Sequence, residues 1–453
     1  MKTEAPPRSS FFRNERGSQM QCTWTTAVTL RCALALICVS AALDCAHAAA
    51  RSWTPDRIIV TFWCPPPATD EALAAVAAEH YTMMWAPESG LDAVARHGLR
   101  AMLMDSLLAP ATLDDPARKA ELDALIARVK NHPAMEAYFL TDEPSAAAFP
   151  AWGRLVAYLR KRDPAHLAYI NLFPTYASNE QLGTKGDTVT AYREHLRQFI
   201  DIVKPGLISY DHYHFLKKSD GDQYFLNLGM IRQAALEAGL PFLNIIQAST
   251  VVKSWRLPTA AELRWLVYTT IAYGGRGISY FTYWGPASYG GLYQDGKRAP
   301  LALDAAELNA GIAALSPALM SLDSVGAYHT PPLPLPRGAE PIPADAPVQI
   351  AGPGAFVLGL FGKAAQATAF MVVNRNYREA VSARIRVPEA TRVQEFVRAS
   401  GKWRGYATPR AERTITVELE PGDGRLFRLV RQHSGAQTSA ERGRKGARHA
   451  TSS

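Results

Sequence analysis

The sequence predicts a (β/α)8 barrel followed by a small all-β sandwich domain. Between residues 57 and 286, eight short apolar runs alternate with segments of helical periodicity. This alternation indicates a mostly parallel sheet, and eight units over about 230 residues match a closed barrel. A doubly wound open sheet is the alternative, but no G-x-G-x-x-G motif follows the first predicted strand. Beyond residue 347 the hydrophobic period changes to two, which is typical of antiparallel strands.

The eight barrel strands are predicted from apolar runs bounded by helix or turn signals. They are Arg57–Trp63, Tyr81–Trp85, Arg100–Met104, Met135–Thr141, Leu167–Phe173, Leu207–Tyr210, Phe242–Ile246 and Gly277–Tyr283. The helices between them have recognisable ends. Thr69 can cap the first helix, Asp115 and Pro116 can begin another, and Gly239 can stop a third.

The whole chain divides into five predicted segments. They are a signal peptide at 1–48, the barrel at 49–328, a Pro-rich linker at 329–347, the β-sandwich at 348–430 and a basic disordered tail at 431–453. Six short strands are predicted in the sandwich. They are Phe356–Phe361, Ala367–Asn374, Val381–Val387, Arg392–Arg398, Thr414–Glu420 and Arg425–Val430.

The first 48 residues have the pattern of a cleaved export signal. Arg31 precedes an apolar run from Cys32 to Leu43, and Ala46-His47-Ala48 forms an A-x-A cleavage site. A membrane anchor is the alternative, but the run is short for a span, and a lipoprotein is disfavoured by Asp44 before Cys45. We therefore expect a secreted or periplasmic protein without a stable membrane anchor.

Cysteine usage agrees with this expectation. The chain has five cysteines, of which four lie in or before the predicted signal. Only Cys64 remains after cleavage, so the mature chain can form no intrachain disulfide and no Cys-based zinc site.

The net charge of +8 is concentrated at the two ends of the chain. Residues 1–48 carry +2 and residues 431–453 carry +4, which leaves +2 for the predicted folded part. A nucleic-acid footprint is therefore not expected there. The tail could alternatively bind anions weakly and without specificity.

The strongest signal for chemistry is the pair Asp142-Glu143, which ends the fourth predicted strand and precedes Pro144. In a barrel this position is the C-terminal rim, where barrel enzymes hold their active sites. The other strand ends add carboxylates, amides and aromatic rings. The candidate site residues are Trp63, Trp85, Asp105, Asp142, Glu143, Asn171, Asp211, His212, Tyr213, His214, Gln247, Tyr283 and Trp284.

This mixture of side chains is the one that glycoside cleavage needs. The reaction uses one carboxyl group as general acid and a second as base or nucleophile. Glu143 is the candidate acid, because burial and nearby Asp142 should raise its pKa. It could instead cap the next helix or pair with an arginine. Asp211 is the candidate second carboxylate.

The histidines near Asp211 allow another interpretation. With a period of two, Asp211 and Tyr213 share one face of the sixth strand, while His212 and His214 share the other. A His-x-His pair can bind metal, and Asp105 and Asp211 could complete the site of a metal-dependent hydrolase. We expect instead that the histidines bind substrate or orient a carboxylate, with no metal and no cofactor. Asp105 could bind a sugar hydroxyl or cap the loop that follows it.

Three tryptophans, Trp63, Trp85 and Trp284, could pack in the core or serve as platforms for sugar rings. Asn171 and Gln247 are polar ends of apolar strands, which predicts a polar pocket. The aromatic residues of the sandwich, Phe396, Trp403 and Tyr406, are expected in its core, so we expect a structural domain rather than a polysaccharide-binding one.

Four segments resemble secreted barrel glycoside hydrolases related to clan A. His132-Pro133-Ala134 followed by Tyr138–Pro144 is similar to their fourth-strand motif, Ile208–Phe215 to their sixth strand, and Ala272–Pro286 to their eighth-strand region. The terminal run Leu419–Phe427 is similar to the last strands of the β-domains that such enzymes carry. The resemblance implies that Glu143 is the acid/base.

The chain departs from that family at one position. The family's nucleophile is a glutamate that ends the seventh strand, and here that strand ends with Gln247. Asp211 could replace the glutamate, or water could attack in an inverting mechanism. The sequence therefore predicts a secreted glycoside hydrolase acting on an oligo- or polysaccharide. The alternatives are a non-catalytic carbohydrate-binding barrel and a metal-dependent hydrolase.

Overall fold

The computed structural model describes residues 53–389, 391–406 and 413–431. The predicted signal peptide and, apart from residue 431, the predicted basic tail lie outside the described residues. Eight parallel strands form the predicted barrel. They are β1 (Ile59–Phe62), β2 (Met83–Ala86), β3 (Arg100–Leu103), β4 (Met135–Asp142), β5 (Leu167–Leu172), β6 (Ile208–His212), β7 (Phe242–Gln247) and β8 (Gly277–Phe281).

The barrel sheet follows chain order. Its strand order is β1-β8-β7-β6-β5-β4-β3-β2, and every pairing is parallel. Thr82 closes the circle, because its N–H donates to the carbonyl oxygen of Val60 at 2.8 Å and its Oγ1 accepts from the Val60 N–H at 2.9 Å. The prediction of a (β/α)8 barrel is confirmed.

Helices alternate with these strands and continue beyond β8. The α-helices are α1 (Asp70–Ala78), α2 (Leu91–Arg96), α3 (Pro116–Val129), α4 (Phe149–Arg162), α5 (Asn179–Leu182), α6 (Thr188–Gln198), α7 (Tyr224–Ala238), α8 (Ala260–Ala272) and α9 (Pro300–Met320). One π-turn, Phe199–Val203, extends α6. The predicted ends are confirmed: Thr69 caps α1, Asp115 caps α3 ahead of Pro116, and Gly239 ends α7 with φ +65°.

The barrel interior is a packed core, so a substrate can reach only its ends. Aliphatic side chains fill the middle, including Ile59, Met102 and Ile245. Trp53 closes the N-terminal end, where its Nε1 donates to Glu136 Oε1 at 2.6 Å. Aromatic and carboxyl side chains occupy the opposite, C-terminal end. Three two-residue strands also lie at this rim, namely β9 (Trp284–Gly285), β10 (Tyr293–Gln294) and β11 (Lys297–Arg298).

The C-terminal region is an antiparallel sandwich, as predicted. Its strands are β12 (Asp323–His329), β13 (Gln349–Ala351), β14 (Phe356–Lys363), β15 (Gln366–Asn374), β16 (Val381–Arg386), β17 (Thr391–Val397), β18 (Lys402–Tyr406), β19 (Thr414–Leu419) and β20 (Gly424–Arg431). One sheet has the order β12-β14-β15-β20-β17-β18 and the other has the order β13-β16-β19.

Strands β12, β13 and β18 of the sandwich were not predicted, nor was the close contact of the sandwich with a barrel helix. Strand β12 pairs with β14 although it begins at Asp323, before the predicted barrel boundary at residue 328. Strand β14 packs directly on α8, and this close approach requires Gly359, since a Cβ there would lie 2.3 Å from the carbonyl oxygen of Ala272. Within the described residues, no helix has the length and apolar character needed to cross a membrane.

Candidate active site

A bulge near the end of β4 sets the position of Asp142. The register pairs Phe139 with Tyr169 and then shifts, so that Asp142 lies opposite Asn171. A strict period of two would point Thr141 into the barrel, and the extra residue of the bulge places Asp142 there instead. Asn171 Nδ2 donates to Asp142 Oδ1 at 3.0 Å, which holds the carboxylate in place.

The backbone turns sharply at the next residue. Glu143 has φ +46°, a left-handed conformation that few non-glycine residues adopt, and its N–H donates to the carbonyl oxygen of Asn171 at 2.9 Å. Strained backbone of this kind is concentrated at functional sites. The turn, which Pro144 follows, directs the Glu143 side chain toward β6.

Buried hydroxyl groups hold Asn171 in turn. Its Oδ1 accepts from Ser209 Oγ at 3.0 Å, and Ser209 Oγ is 2.8 Å from the hydroxyl of Tyr169. Asn171, Ser209 and Tyr169 are all buried inside the barrel. A network of hydrogen bonds between buried polar groups therefore leads to Asp142.

Asp211 completes a group of three carboxyls. It lies on the inward face of β6 and is 5% exposed. The Tyr213 hydroxyl donates a hydrogen bond to Asp211 Oδ2 at 3.3 Å. Asp211 Oδ1 is buried and accepts from no N–H or hydroxyl group of the described residues. The side chains of Asp211 and Glu143 are in hydrogen-bond contact with each other. Two carboxyls in such contact must share a proton, because like charges cannot both ionise there.

Desolvation raises the pKa of all three carboxyls, and repulsion by neighbouring charge adds to it at Glu143 and Asp211. Desolvation raises the pKa of Glu143 to about 7, with a further contribution from the charge of Asp142. Desolvation also raises the pKa of Asp211 well above its ordinary value, and the charges of Glu143 and Asp142 add to this. The pKa of Asp142 rises by desolvation, against which the hydrogen bond from Asn171 acts. No described lysine, arginine or histidine forms an ion pair with any of the three.

Aromatic rings surround these carboxyls and form what we call the aromatic wall. Trp63 meets Trp85 edge-on at 4.6 Å between ring centroids, and Tyr213 lies 4.2 Å from Trp255 and 5.2 Å from Phe281. The wall consists of Trp63, Phe139, Tyr213, Trp255 and Phe281, which are all half-buried. Trp85 is 8% exposed, so it supports the wall from beneath and is too buried to serve as a platform.

Four residues at the site were not predicted. Tyr176 is 47% exposed, and its hydroxyl accepts from the N–H of Tyr213 at 3.2 Å. Tyr176 and Trp255 lie in loops, where hydrophobic periodicity gives no information. Phe139 and Phe281 point inward near the ends of β4 and β8, and counting by two along those strands would have found them.

The structure places His212 and His214 away from the three carboxyls, against the prediction that they bind substrate. His212 Nδ1 is 2.9 Å from Asn227 Oδ1, and the His214 ring packs 5.2 Å from Trp265. Both rings are buried, and burial lowers the pKa of His212 to about 3 and that of His214 to about 4. They are on the face opposite Asp211, as the strand period indicates. In the described part of the chain, no three His, Cys, Asp or Glu side chains form a group that could hold a metal ion.

Three other predicted residues have structural roles or stand at the edge of the site. Tyr283 is buried, and its hydroxyl donates to Glu79 Oε2 at 3.0 Å, because β8 ends two residues earlier than predicted. Asp105 caps its own loop by accepting from the Leu107 N–H at 2.8 Å. Trp284 is half-buried and stacks on a tyrosine of the neighbouring rim strand.

Gln247 also has a structural role, which explains why no glutamate ends β7. Its Oε1 accepts from the Phe215 N–H at 2.8 Å. Its Nε2 donates to the carbonyl oxygens of Phe215 at 3.0 Å and Arg256 at 2.9 Å. The side chain is fully buried, so it is not available to a substrate. It instead fixes the loops that carry Tyr213 and Trp255.

We expect Gln247→Glu to destabilise the fold and to leave activity no higher. A glutamate cannot donate to the two carbonyl oxygens, and its buried charge would lie against them. The free energy of unfolding should fall by about 2–4 kcal/mol, as measured by urea denaturation. The matched control is Gln294→Glu in the half-buried rim strand, which should cost less. Higher activity in Gln247→Glu would mean that the seventh-strand position is the nucleophile site after all.

Comparisons with known proteins give matches only at the level of structure. No protein-family model matches the sequence, and no curated protein matches it. Solved structures do match with high probability. One is a 4-O-α-L-rhamnosyl-β-D-glucuronidase from Fusarium oxysporum 12S, at 9% identity and TM-score 0.44, with 84% of this chain and 99% of that one covered.

Two more matches have similar scores. A β-galactosidase from Rahnella sp. R3 is 12% identical, with 60% of this chain and 58% of that one covered and a TM-score of 0.43. A glycosyl hydrolase family 2 member from Bacteroides cellulosilyticus DSM 14838 is 12% identical, with 84% and 58% covered and a TM-score of 0.37. The activity of this chain must be inferred from its own residues.

Proposed function

We propose that the protein is a glycoside hydrolase that cleaves an oligo- or polysaccharide with Glu143 and Asp211. The observation that carries this proposal is the hydrogen-bonded carboxyl pair at the C-terminal end of the barrel, with aromatic rings on its open side. Glycoside cleavage needs two such carboxyls, and aromatic rings stack on the apolar faces of sugars. The predicted signal peptide, if cleaved after Ala48, would bring this activity outside the cytoplasm.

In the proposed mechanism Glu143 is the general acid and Asp211 the nucleophile. Burial and the charges of Glu143 and Asp142 favour the shared proton on Asp211, and the hydrogen bond from Tyr213 acts against them. The mechanism therefore requires that a bound substrate, whose leaving oxygen accepts from Glu143, place that proton on Glu143. Asp211 lies deeper in the barrel, beneath the position of a bound sugar ring. Glu143 lies nearer solvent, where the leaving group departs, and its pKa of about 7 keeps it protonated up to neutral pH.

The contact between the two carboxyls supports a retaining mechanism. Each carboxyl shifts the pKa of the other by charge or by hydrogen bonding, so the two groups lie close together. Retaining enzymes hold the two groups about 5–5.5 Å apart, and inverting enzymes need roughly 6.5–9.5 Å to admit a water molecule. Asp211 would attack the anomeric carbon as Glu143 protonates the leaving oxygen. Water, activated by Glu143, would then release the sugar.

The charge of the site indicates the substrate class. Three carboxyls with no cationic partner would repel a uronate or sulfated sugar at the cleavage point. We therefore propose that the sugar bound between Glu143 and Asp211 carries no negative charge.

Activity should depend on pH through the shared proton. At low pH both Glu143 and Asp211 are protonated and no nucleophile remains, whereas above pH 7 Glu143 loses the proton that it must donate. The rate should therefore show a bell-shaped profile with its alkaline limb near pH 7.

Asp142→Asn should move that alkaline limb to lower pH. The charge of Asp142 raises the pKa of Glu143, so its removal lets Glu143 ionise earlier. The amide oxygen can still accept from Asn171, which preserves the geometry. The matched control is Asp105→Asn, which removes a carboxylate that only caps a loop and should leave the limb in place. If the alkaline limb stays in place in Asp142→Asn, that limb does not report the ionisation of Glu143.

The test of the proposal is a substrate panel. The mature protein is incubated with neutral polysaccharides and aryl glycosides, and released reducing sugar or phenol is measured. Hydrolysis of at least one neutral glycoside is expected. Retention on a glycan-containing gel with no hydrolysis of any substrate would favour the carbohydrate-binding alternative, for which the structural role of Gln247 is the supporting observation.

A further inference from the structure

The sandwich domain has a groove of ≈ 1270 Å³ across the outer face of its smaller sheet, bordered by the edge strand β18 of the larger sheet. Strands β13, β16, β18 and β19 all contribute to it. Its lining includes Arg384, Arg386, Arg404, Tyr406 and Thr416. A groove of this volume exceeds that of an ordinary small-molecule site and can hold several sugar units.

Two arginines lie side by side on the outer face of the smaller sheet. Arg384 and Arg386 alternate with the buried Ala383 and Ile385, so both exposed side chains leave the outer face, from Cα atoms about 7 Å apart along the strand. The register places Arg384 beside Thr416 and Arg386 beside Thr414. The strand period therefore fixes a row of positive charge flanked by threonine side chains.

This row has little compensating negative charge. Neither Arg384 nor Arg386 forms an ion pair with any residue in the described ranges, and none of the described residues that line the groove is acidic. Arg404 approaches Glu395 at 3.4 Å, but Glu395 is held more closely by Arg425, whose Nε donates at 2.8 Å. On the same face, Glu418 accepts from the hydroxyl of Ser382 at 2.7 Å, one residue pair beyond Arg384.

We propose that this groove is a binding site for an acidic polysaccharide, one that bears carboxylate or sulfate groups. Arginine forks bind such groups with paired hydrogen bonds, and the exposed hydroxyl of Thr416 can bind sugar hydroxyls. A polysaccharide fits better than a nucleic acid, because residues 49–430 carry only +2 and the described lining of the groove offers one aromatic ring. The proposal is independent of the barrel's activity and opposes the expectation of a purely structural domain.

The experiment compares binding of the full mature chain to polygalacturonate and to its fully methyl-esterified form, which has the same backbone without charge. Arg384→Gln/Arg386→Gln should weaken binding of polygalacturonate at least about tenfold, with little binding of the ester by any variant. The matched control is Arg96→Gln/Arg154→Gln, which removes two exposed arginines from barrel helices and lowers the net charge equally. Affinity is measured by calorimetry, and a thermal melt shows that each variant is folded.

Three outcomes would overturn the proposal. Equal weakening in the control variant would mean that binding depends on net charge alone, to which the basic tail contributes in every variant. Equal affinity for a single-stranded oligonucleotide, lost through the same substitutions, would make the groove a general polyanion site. Absence of binding by the parent protein would remove the site. Hydrolysis of a neutral aryl glycoside should be unchanged in Arg384→Gln/Arg386→Gln. Failure of the groove proposal can therefore be told apart from failure of the proposed barrel activity.

Discussion

Replacing Glu143 with glutamine is expected to lower kcat about 10²- to 10⁴-fold on the unactivated glycoside that the panel identifies. The amide has nearly the shape of the acid but cannot donate a proton to the leaving oxygen. The hydrogen bond to Asp211 can be kept through the amide nitrogen, so the fold should be intact. The matched control is Glu88→Gln, a half-buried rim glutamate paired with Arg128, which should leave kcat within about twofold.

The leaving group decides whether Glu143 is the acid. A dinitrophenyl glycoside needs no protonation as it leaves, so its first step should be nearly as fast in Glu143→Gln as in the parent. An equal loss on activated and unactivated substrates would assign Glu143 the nucleophile role and leave Asp211 as the acid. Full activity of Glu143→Gln on both substrates would remove it from catalysis.

Replacing Asp211 with asparagine is expected to lower kcat about 10³-fold or more, whatever the leaving group. The amide cannot attack the anomeric carbon, and better leaving groups do not compensate for a missing nucleophile. Azide, a small anion that can enter the space beside the amide, should restore part of the rate and yield a glycosyl azide of inverted configuration. The matched control is Asp92→Asn, a highly exposed carboxylate on α2, which should behave as the parent.

A second readout follows from the hydrogen bond between the pair. Asp211→Asn removes the carboxyl that shares a proton with Glu143, so the pH profile of the residual activity should lose its acid limb. A residual activity whose pH profile keeps its bell shape would show that the acid limb belongs to another group. Substantial activity of Asp211→Asn without azide would contradict its role as nucleophile.

The barrel could be predicted from sequence because its strands are buried on both faces and read as continuous apolar runs. All eight runs are strands, and most observed ends fall within two residues of the expected ones. The strongest site prediction was also local. Asp142 and Glu143 lie where an apolar strand meets a proline, and Asp211 and Tyr213 share a face by the period of two. The hydrogen-bond contact between Glu143 and Asp211 needed the three-dimensional arrangement of β4 and β6.

Several features of the site have physical causes that a strand period cannot reveal. Gln247 occupies an inward-facing position of β7, yet its amide is fully hydrogen-bonded to the backbone of two neighbouring loops. Tyr283 follows β8 after the strand has ended, and its hydroxyl turns to a buried glutamate. Asp142 points inward only because a bulge interrupts β4. Trp255 and Tyr176 reach the site from loops, where the sequence carries no periodic signal.

The most direct test of the central claim is to trap the glycosyl-enzyme. The protein is incubated with a 2-deoxy-2-fluoro glycoside of the sugar it hydrolyses, with a dinitrophenyl leaving group, and the labelled peptide is identified by mass spectrometry. A single adduct on Asp211, formed also by Glu143→Gln and absent from Asp211→Asn, is the predicted result. An adduct on Glu143 or another residue, or steady turnover with no adduct, would contradict the proposed pairing of Glu143 as acid with Asp211 as nucleophile.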